Sequence, residues 1–265
     1  MSYSSIASHP IQTIFTNSEK PSNEIFEQFV FQKMPKGTAF GNFAHDILEN
    51  ISFQDQSRWE TVIKKNAQKA LGWAHQITAT QETELGLYIQ WFEHICKDNI
   101  KAGYKTFQLH DIQHKISELE FYFDYKKIQI HVLKKVLKQS FEIEWKSDMA
   151  IEGLMNGFID LVFEHKGKYY ILDWKTNFLG NNLEAYQTEN LEQAMSNNNY
   201  HLQYMIYTVA LCRYLKTKIK NFDYDTHFGG VLYMFVRGIR QEQSNGIYFN
   251  RLTKNEHKLL ERVLN

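Results

Sequence analysis

The chain has 265 residues, with thirty Lys and Arg against thirty Asp and Glu and a formal net charge of zero. That balance supplies no overall field to draw in nucleic acid, so any such binding needs a local patch. Hydrophobic residues make up 43% of the chain, ample for a packed core, and two cysteines, Cys96 and Cys212, are too few for a four-cysteine zinc or iron–sulfur site.

The two cysteines fit a reduced, cytoplasmic protein. No apolar run reaches the roughly 18 residues of a membrane span, and the N-terminus lacks the basic and apolar regions of a signal peptide. Residues 1–36 are rich in Ser, Asn, Gln and Pro and read as an arm or tether. All three prolines (Pro10, Pro21, Pro35) fall there. The absence of later breakers predicts one domain over 37–265.

From Thr38, a plausible N-cap, the segment TAFGNFAHDILENI predicts a helix. Its apolar stripe is Phe40, Phe43, Ala44, Ile47, Leu48 and Ile51. Gly41 and His45, four apart, sit on its flank. Residues 57–101 continue as helices, with Trp59, Trp73, Leu85, Ile89 and Trp91 as core candidates. ISELEFYFDY, residues 116–125, alternates as a strand with one buried face. It carries Leu119, Phe121, Phe123 and Tyr125 on one side and Glu118, Glu120, Tyr122 and Asp124 on the other. A lysine-rich segment follows over 126–140, predicted helical in its second half.

Residues 157–180, GFIDLVFEHKGKYYILDWKTNFLG, predict a hairpin. With His165–Lys168 as its loop, Glu164 faces Tyr169, and counting back sets Asp160 opposite Asp173. Alternation then places Asp160, Asp173 and Lys175 on one face. Directly opposed residues hold their Cβ atoms about 4.5–5.5 Å apart, where like charges repel. Two facing carboxylates suit a hard divalent cation, which takes oxygen ligands. The chemistry expected is a metal-dependent phosphodiesterase site. There Mg²⁺ polarises a phosphoryl oxygen and activates water, and Lys175 orients the nucleophile or stabilises transition-state charge.

Beyond the hairpin, residues 183–195 are weakly helical. YHLQYMIYTVALCRYLK, residues 200–216, predicts a strong helix capped by Asn199, with Leu202, Met205, Ile206, Val209 and Ala210 as its core stripe. GGVLYMFVRG predicts a strand buried on both faces. The tail from Glu256 predicts a short helix. Lysines over 126–138, with Lys216, Lys218, Lys220, Arg237 and Arg240, are candidates for phosphate contacts, although such runs are commonly a solvated face. Tyr122 and Tyr125 are candidates for stacking unpaired bases.

GTAFGNFAH, GFIDLVF, YYILDWKTNFLG, LQYMIYTVALCRYL and HFGGVLYMFVRG, in that order, resemble the C-terminal nuclease domain of RecB, the exonuclease V β subunit, within the PD-(D/E)xK nuclease superfamily. The likeness runs over nearly the whole chain. It implies an α/β, restriction-endonuclease-like core: a mixed central β-sheet flanked by α-helices. It implies that Asp160, Asp173, His45 and the Trp174 main-chain carbonyl hold the metal, Mg²⁺ or Mn²⁺, and that Lys175 is the catalytic lysine. Glu118 and Glu120 share one strand face, and the resemblance selects Glu120 as the acidic residue near the site. Gln203 and Tyr207 match a QxxxY motif that supports the site or contacts DNA. Trp174 and Thr176 stand where the family commonly has tyrosine and serine.

The activity implied is in-line hydrolysis of DNA, single-stranded DNA fed by a helicase, in double-strand break repair and recombination. RecC, RecD and the helicase part of the parent subunit are the partners implied. The chain holds no GxxxxGK[ST] loop and hence no ATP site of that kind. The competing expectation is a catalytically silent nuclease-like module that binds DNA or a partner. A junction resolvase of this fold is usually a much smaller dimer.

Overall fold

A computed structural model of the chain describes residues 23–128, 151–240 and 245–264, with side chains described outside 123–128 and 151–155. The lysine-rich segment beyond Ile128, and the side chains of residues 123–128, Phe123 and Tyr125 among them, therefore lie outside what is described.

The hairpin of β4 (Ile151–His165) and β5 (Lys168–Lys175) lies inside a five-stranded sheet. On one side β4 pairs antiparallel with β3 (His114–Ile128). On the other, β5 pairs parallel with β6 (Phe228–Phe235), which pairs antiparallel with β7 (Ile247–Asn250). The mixed sheet is flanked by helices, as the α/β reading requires. Glu164 faces Tyr169 as expected, but His165 and Lys168 pair as well, so the turn has two residues rather than four. Lys166 and Gly167 both take positive φ, 51° and 77°. Two such residues match the twist of the flanking strands, which favours short hairpin loops of this kind.

β6 is buried at every position. A strand covered on both faces reads as a continuous apolar run, and β6 is reached from β5 by a long helical crossover as parallel pairing demands. That crossover contains α5 (Thr188–Asn197), α6 (Tyr200–Lys218) and the short α7 (Tyr224–His227). Asn199 occupies the N-cap position of α6, but in the left-handed region (φ 55°) and with no side-chain capping bond. Besides Met205, Val209 and Ala210, α6 buries His201, Tyr204, Thr208, Leu211 and Cys212. Its buried face is wider than a single stripe because α6 meets the sheet and also α8 (Lys254–Val263).

The N-terminal side is helical. α1 (Asn23–Gln28) runs into a π-turn over Phe29–Lys33, and Phe26, Phe29, Val30, Phe31 and Met34 are all buried. The stretch expected as an arm thus packs into the core from α1 onward. α2 (Thr38–Asn50) begins at Thr38, so Gly37 (φ 89°) is the N-cap and Thr38 makes no capping bond. The predicted α2 stripe is buried throughout. α3 (Trp59–Ala70) and α4 (Ala79–Lys97) follow, the latter opened by a Thr78–Gln81 capping box. Trp59, Trp73, Leu85 and Trp91 are buried, and Ile89 is half-buried. A small hairpin of β1 (Ile100–Ala102) and β2 (Lys105–Phe107) follows, so Ile100 and Lys101, at the end of the range expected as helical, are strand. Strands of three residues are too short to show a period. Among the described residues no helix is long and apolar enough to cross a membrane.

Candidate active site

Asp160 and Asp173 stand one step beyond the last rung of the β4–β5 ladder, Leu161 opposite Leu172. Asp173 is 2% exposed, and its carboxylate forms an ion pair with the Lys175 ammonium two residues along the same face of β5. Asp160 Oδ2 accepts the Trp174 N–H at 2.8 Å. α2 brings His45 over the end of the hairpin. Its Nε2 lies 3.1 Å from the Trp174 carbonyl oxygen, and its Nδ1 lies 3.6 Å from Asp160 Oδ2. Gly41, one turn before His45, is packed closely here: a Cβ there would sit 3.3 Å from Thr176 Oγ1, a tight contact. Of these residues, Gly41, His45, Asp160 and Thr176 line a cleft of about 560 Å³, together with Lys36, Asn42 and Glu118, whereas Asp173, Trp174 and Lys175 do not line it.

The electrostatics follow from burial beside like charge. Loss of solvent, then the charge of Asp173, pushes the Asp160 carboxyl up to about 8. Burial also raises the Asp173 carboxyl, against the pull of Lys175. Burial lowers His45 below its ordinary value, with the charge of Asp173 acting in the opposite direction. A neutral imidazole that donates Nε2–H to the Trp174 carbonyl carries its lone pair on Nδ1, facing Asp160 Oδ2; this tautomer is assigned from the hydrogen bond. Lone pairs facing one another, one of them on a carboxyl whose pKa is raised by burial and by the charge of Asp173, suit a cation. A set of carboxylate, carbonyl and imidazole donors fits Mg²⁺ or Mn²⁺. Among the described residues, however, no three His, Cys, Asp or Glu side chains are gathered as a ready-made metal site. The Trp174 carbonyl, expected as a ligand, here accepts from His45.

Of the supporting residues, Gln203 and Tyr207 lie one turn apart on α6. Gln203 Oε1 accepts from Lys175 Nζ at 3.2 Å, and Gln203 Nε2 donates to the Tyr207 hydroxyl at 2.9 Å. Both thus support Lys175, directly or through one bond. Of the two glutamates on β3, Glu118 rather than Glu120 lines the cleft. Glu120 is exposed and accepts from the Tyr122 hydroxyl. Glu118 lines the cleft, and burial followed by the charges of Glu49, Asp173 and Asp46 raises its carboxyl. The signal that separates them is the β3–β4 register. Ser117 faces Leu161 and Leu119 faces Ile159, so Glu118 stands opposite Asp160.

Two of the expected phosphate contacts are ruled out by burial. Arg237 is fully buried and donates to the carbonyls of Val30, Pro35 and Thr176; Arg240 is 3% exposed and forms an ion pair with Glu27. Lys216, Lys218 and Lys220 are exposed, with Lys216 paired to Glu261.

Carboxylates and a lysine at the end of a central hairpin, in a mixed sheet flanked by helices, are the arrangement of one nuclease class. Residues 27–265 match the model of the PD-(D/E)XK nuclease superfamily, and the chain belongs to that superfamily. It is similar to RecB, a subunit of the RecBCD enzyme, from several bacteria. Identity is 34% with the protein of Haemophilus influenzae, over 82% of this chain and 18% of that one. It is 32% with that of Escherichia coli (strain K12), over 83% and 18%, and 32% with that of Borreliella burgdorferi, over 88% and 20%. The matches span about a fifth of the length of these relatives.

Proposed function

We propose that this chain is a Mg²⁺-dependent deoxyribonuclease domain that hydrolyses phosphodiester bonds, with single-stranded DNA as its substrate. In this reading it is the nuclease module of a RecBCD-type helicase–nuclease acting in double-strand break repair, with RecC, RecD and a helicase part as partners. The observation that carries the activity is the cluster of Asp160, Asp173, His45, the Trp174 carbonyl and Lys175, joined by short contacts at the end of the hairpin, with Asp160 and His45 lining the cleft. Family membership supports phosphodiester hydrolysis, and the names of the relatives support the assembly.

A divalent ion held there supplies Lewis-acid polarisation of the phosphate and a water of lowered pKa. Asp160 and Asp173 supply the negative charge that retains it. His45, whose pKa is lowered by partial burial, offers in its neutral form a lone pair rather than a competing charge. Lys175 places its ammonium where the phosphate oxygens gain charge in the transition state, and Gln203 keeps it there. Glu118, opposite Asp160, adds a further carboxylate to the cleft in the role first expected of Glu120.

The test is cleavage of end-labelled single-stranded DNA with Mg²⁺ and with EDTA, by wild-type protein, Asp173→Ala and Lys175→Gln. Expected are cutting by wild type with Mg²⁺ alone, none by Asp173→Ala with its fold intact, and collapse of turnover in Lys175→Gln with metal binding retained by calorimetry. Cutting by Asp173→Ala overturns the site assignment. The second reading, a silent DNA- or partner-binding module, draws on the internal pairing of the site, in which Lys175 meets Asp173 and His45 meets the Trp174 carbonyl. DNA binding by wild type without Mg²⁺-dependent cleavage favours it.

A further inference from the structure

Lys175 is also flanked by rings outside the QxxxY pair. Its Nζ lies 4.1 Å from the centroid of the Tyr200 ring and 5.1 Å from that of Tyr233. Tyr233 is fully buried and stands beside Asp173 in the parallel β5–β6 register. Its hydroxyl donates to Gln203 Oε1 at 3.0 Å, the same atom that accepts from Lys175. Tyr200 is half-buried at the first turn of α6. Its ring stacks on that of Tyr233 (centroids 5.7 Å apart, planes 29° apart), and its hydroxyl donates to Asn177 Oδ1 at 3.2 Å.

An amide side chain has one accepting and one donating end. At Gln203 both ends are committed. Two donors, Lys175 and Tyr233, meet Oε1, and Nε2 donates to the Tyr207 hydroxyl. Turning the amide over would set its NH₂ against an ammonium and move the Tyr233 O–H from Oε1 to its other acceptor, the Tyr200 carbonyl at 3.3 Å. Tyr233 therefore helps decide which end of Gln203 faces the lysine. The Tyr200 ring acts by a separate route, since an ammonium over an aromatic face is attracted to it without a hydrogen bond.

We infer that Tyr233 and Tyr200 are positioning residues for Lys175: Tyr233 through the orientation of the Gln203 amide, and Tyr200 through its ring face. The inference rests on the reading of Lys175 as the group that acts on the phosphate. It adds β6 and the start of α6 to the set that places the lysine.

The test has a kinetic arm and a spectroscopic arm. In Mg²⁺-dependent cleavage of single-stranded DNA, Tyr233→Phe and Tyr200→Leu are each expected to lower kcat roughly tenfold, with KM changed by less than about twofold. Tyr200→Phe, which keeps the ring and loses only the hydroxyl, is expected to recover most of what Tyr200→Leu loses. In metal-free protein without DNA, the Lys175 ammonium signal in ¹⁵N spectra is expected to exchange faster with water in Tyr233→Phe and Tyr200→Leu than in wild type. Wild-type kcat in Tyr233→Phe, or equal losses in Tyr200→Phe and Tyr200→Leu, overturns the kinetic inference. If wild type does not cut, or Lys175→Gln cuts as well as it does, the nuclease reading fails instead. The ammonium signal still decides then: unchanged exchange in both variants removes Tyr233 and Tyr200 as supports of the lysine.

Discussion

Glu118 stands opposite Asp160 across the β3–β4 ladder with its backbone at φ 51°, in the left-handed region. A non-glycine residue there costs about 1–2 kcal/mol. Its carboxyl also faces the cleft that Asp46, Glu49 and Asp160 line. Glu118→Gly is expected to relieve both, raising unfolding stability by about 1 kcal/mol in urea titrations, while Mg²⁺-dependent cleavage falls roughly tenfold or more. Glu120→Gln, at an exposed position, is expected to leave cleavage within about twofold of wild type. Equal losses in the two variants would return Glu120 to the site.

α2 packs closely on the end of β5 at Gly41. Gly41→Val places methyl groups where Thr176 Oγ1 already lies 3.3 Å from the ideal Cβ. The expected result is a displaced helix, His45 drawn away from the Trp174 carbonyl, and cleavage lowered roughly tenfold or more with circular dichroism unchanged. Adding Thr176→Ala removes the clashing oxygen and should restore part of the activity. A double variant no better than Gly41→Val would mean that this contact does not set the distance.

Arg237 joins the N-terminal segment to the end of β5. It is buried, stacks over Phe40 with its guanidinium carbon 4.6 Å from the ring centroid, and donates to the carbonyls of Val30, Pro35 and Thr176. Arg237→Leu leaves those carbonyls without a donor. Unpaired buried acceptors cost about 1 kcal/mol or more each, so a loss of about 3 kcal/mol is expected in denaturant unfolding. A loss below about 1 kcal/mol would show that water replaces the guanidinium.

His201 is 2% exposed and lies edge-on to the rings of Tyr204 and Tyr248, with Ser196 Oγ 3.4 Å from Nε2. Burial lowers its pKa to about 4. Between that value and its ordinary one, near 6.5, the unfolded chain binds the proton and the folded chain does not. Stability is therefore lost as pH falls through this window and is held above it. The expected loss is about 3 kcal/mol at the lower end. His201→Gln cannot titrate, so its stability should fall less steeply from pH 6.5 to 4. Parallel curves for the two proteins would dismiss the effect.

Much of this protein was determined by local sequence. The period of two in GFIDLVFE and YYILDWKT, with a glycine between them, put Asp160, Asp173 and Lys175 on one face with a loop of either two or four residues, because both give the same pairing. The apolar stripe of α2 put His45 on its flank, and the unbroken apolar run of β6 implied cover on both faces. Those signals are legible because alternation and helical spacing are properties of neighbouring residues. Tertiary structure decided what depends on distant partners. The choice of Glu118 over Glu120 came from the register of β3 against β4, which a strand pattern alone leaves open. The removal of Arg237 and Arg240 from the surface came from carbonyls and a carboxylate some two hundred residues away in the chain. The flanking of Lys175 by Tyr200 and Tyr233 came from laying α6 and β6 beside β5. Each is a contact between segments far apart in sequence, and only packing brings them within hydrogen-bond reach.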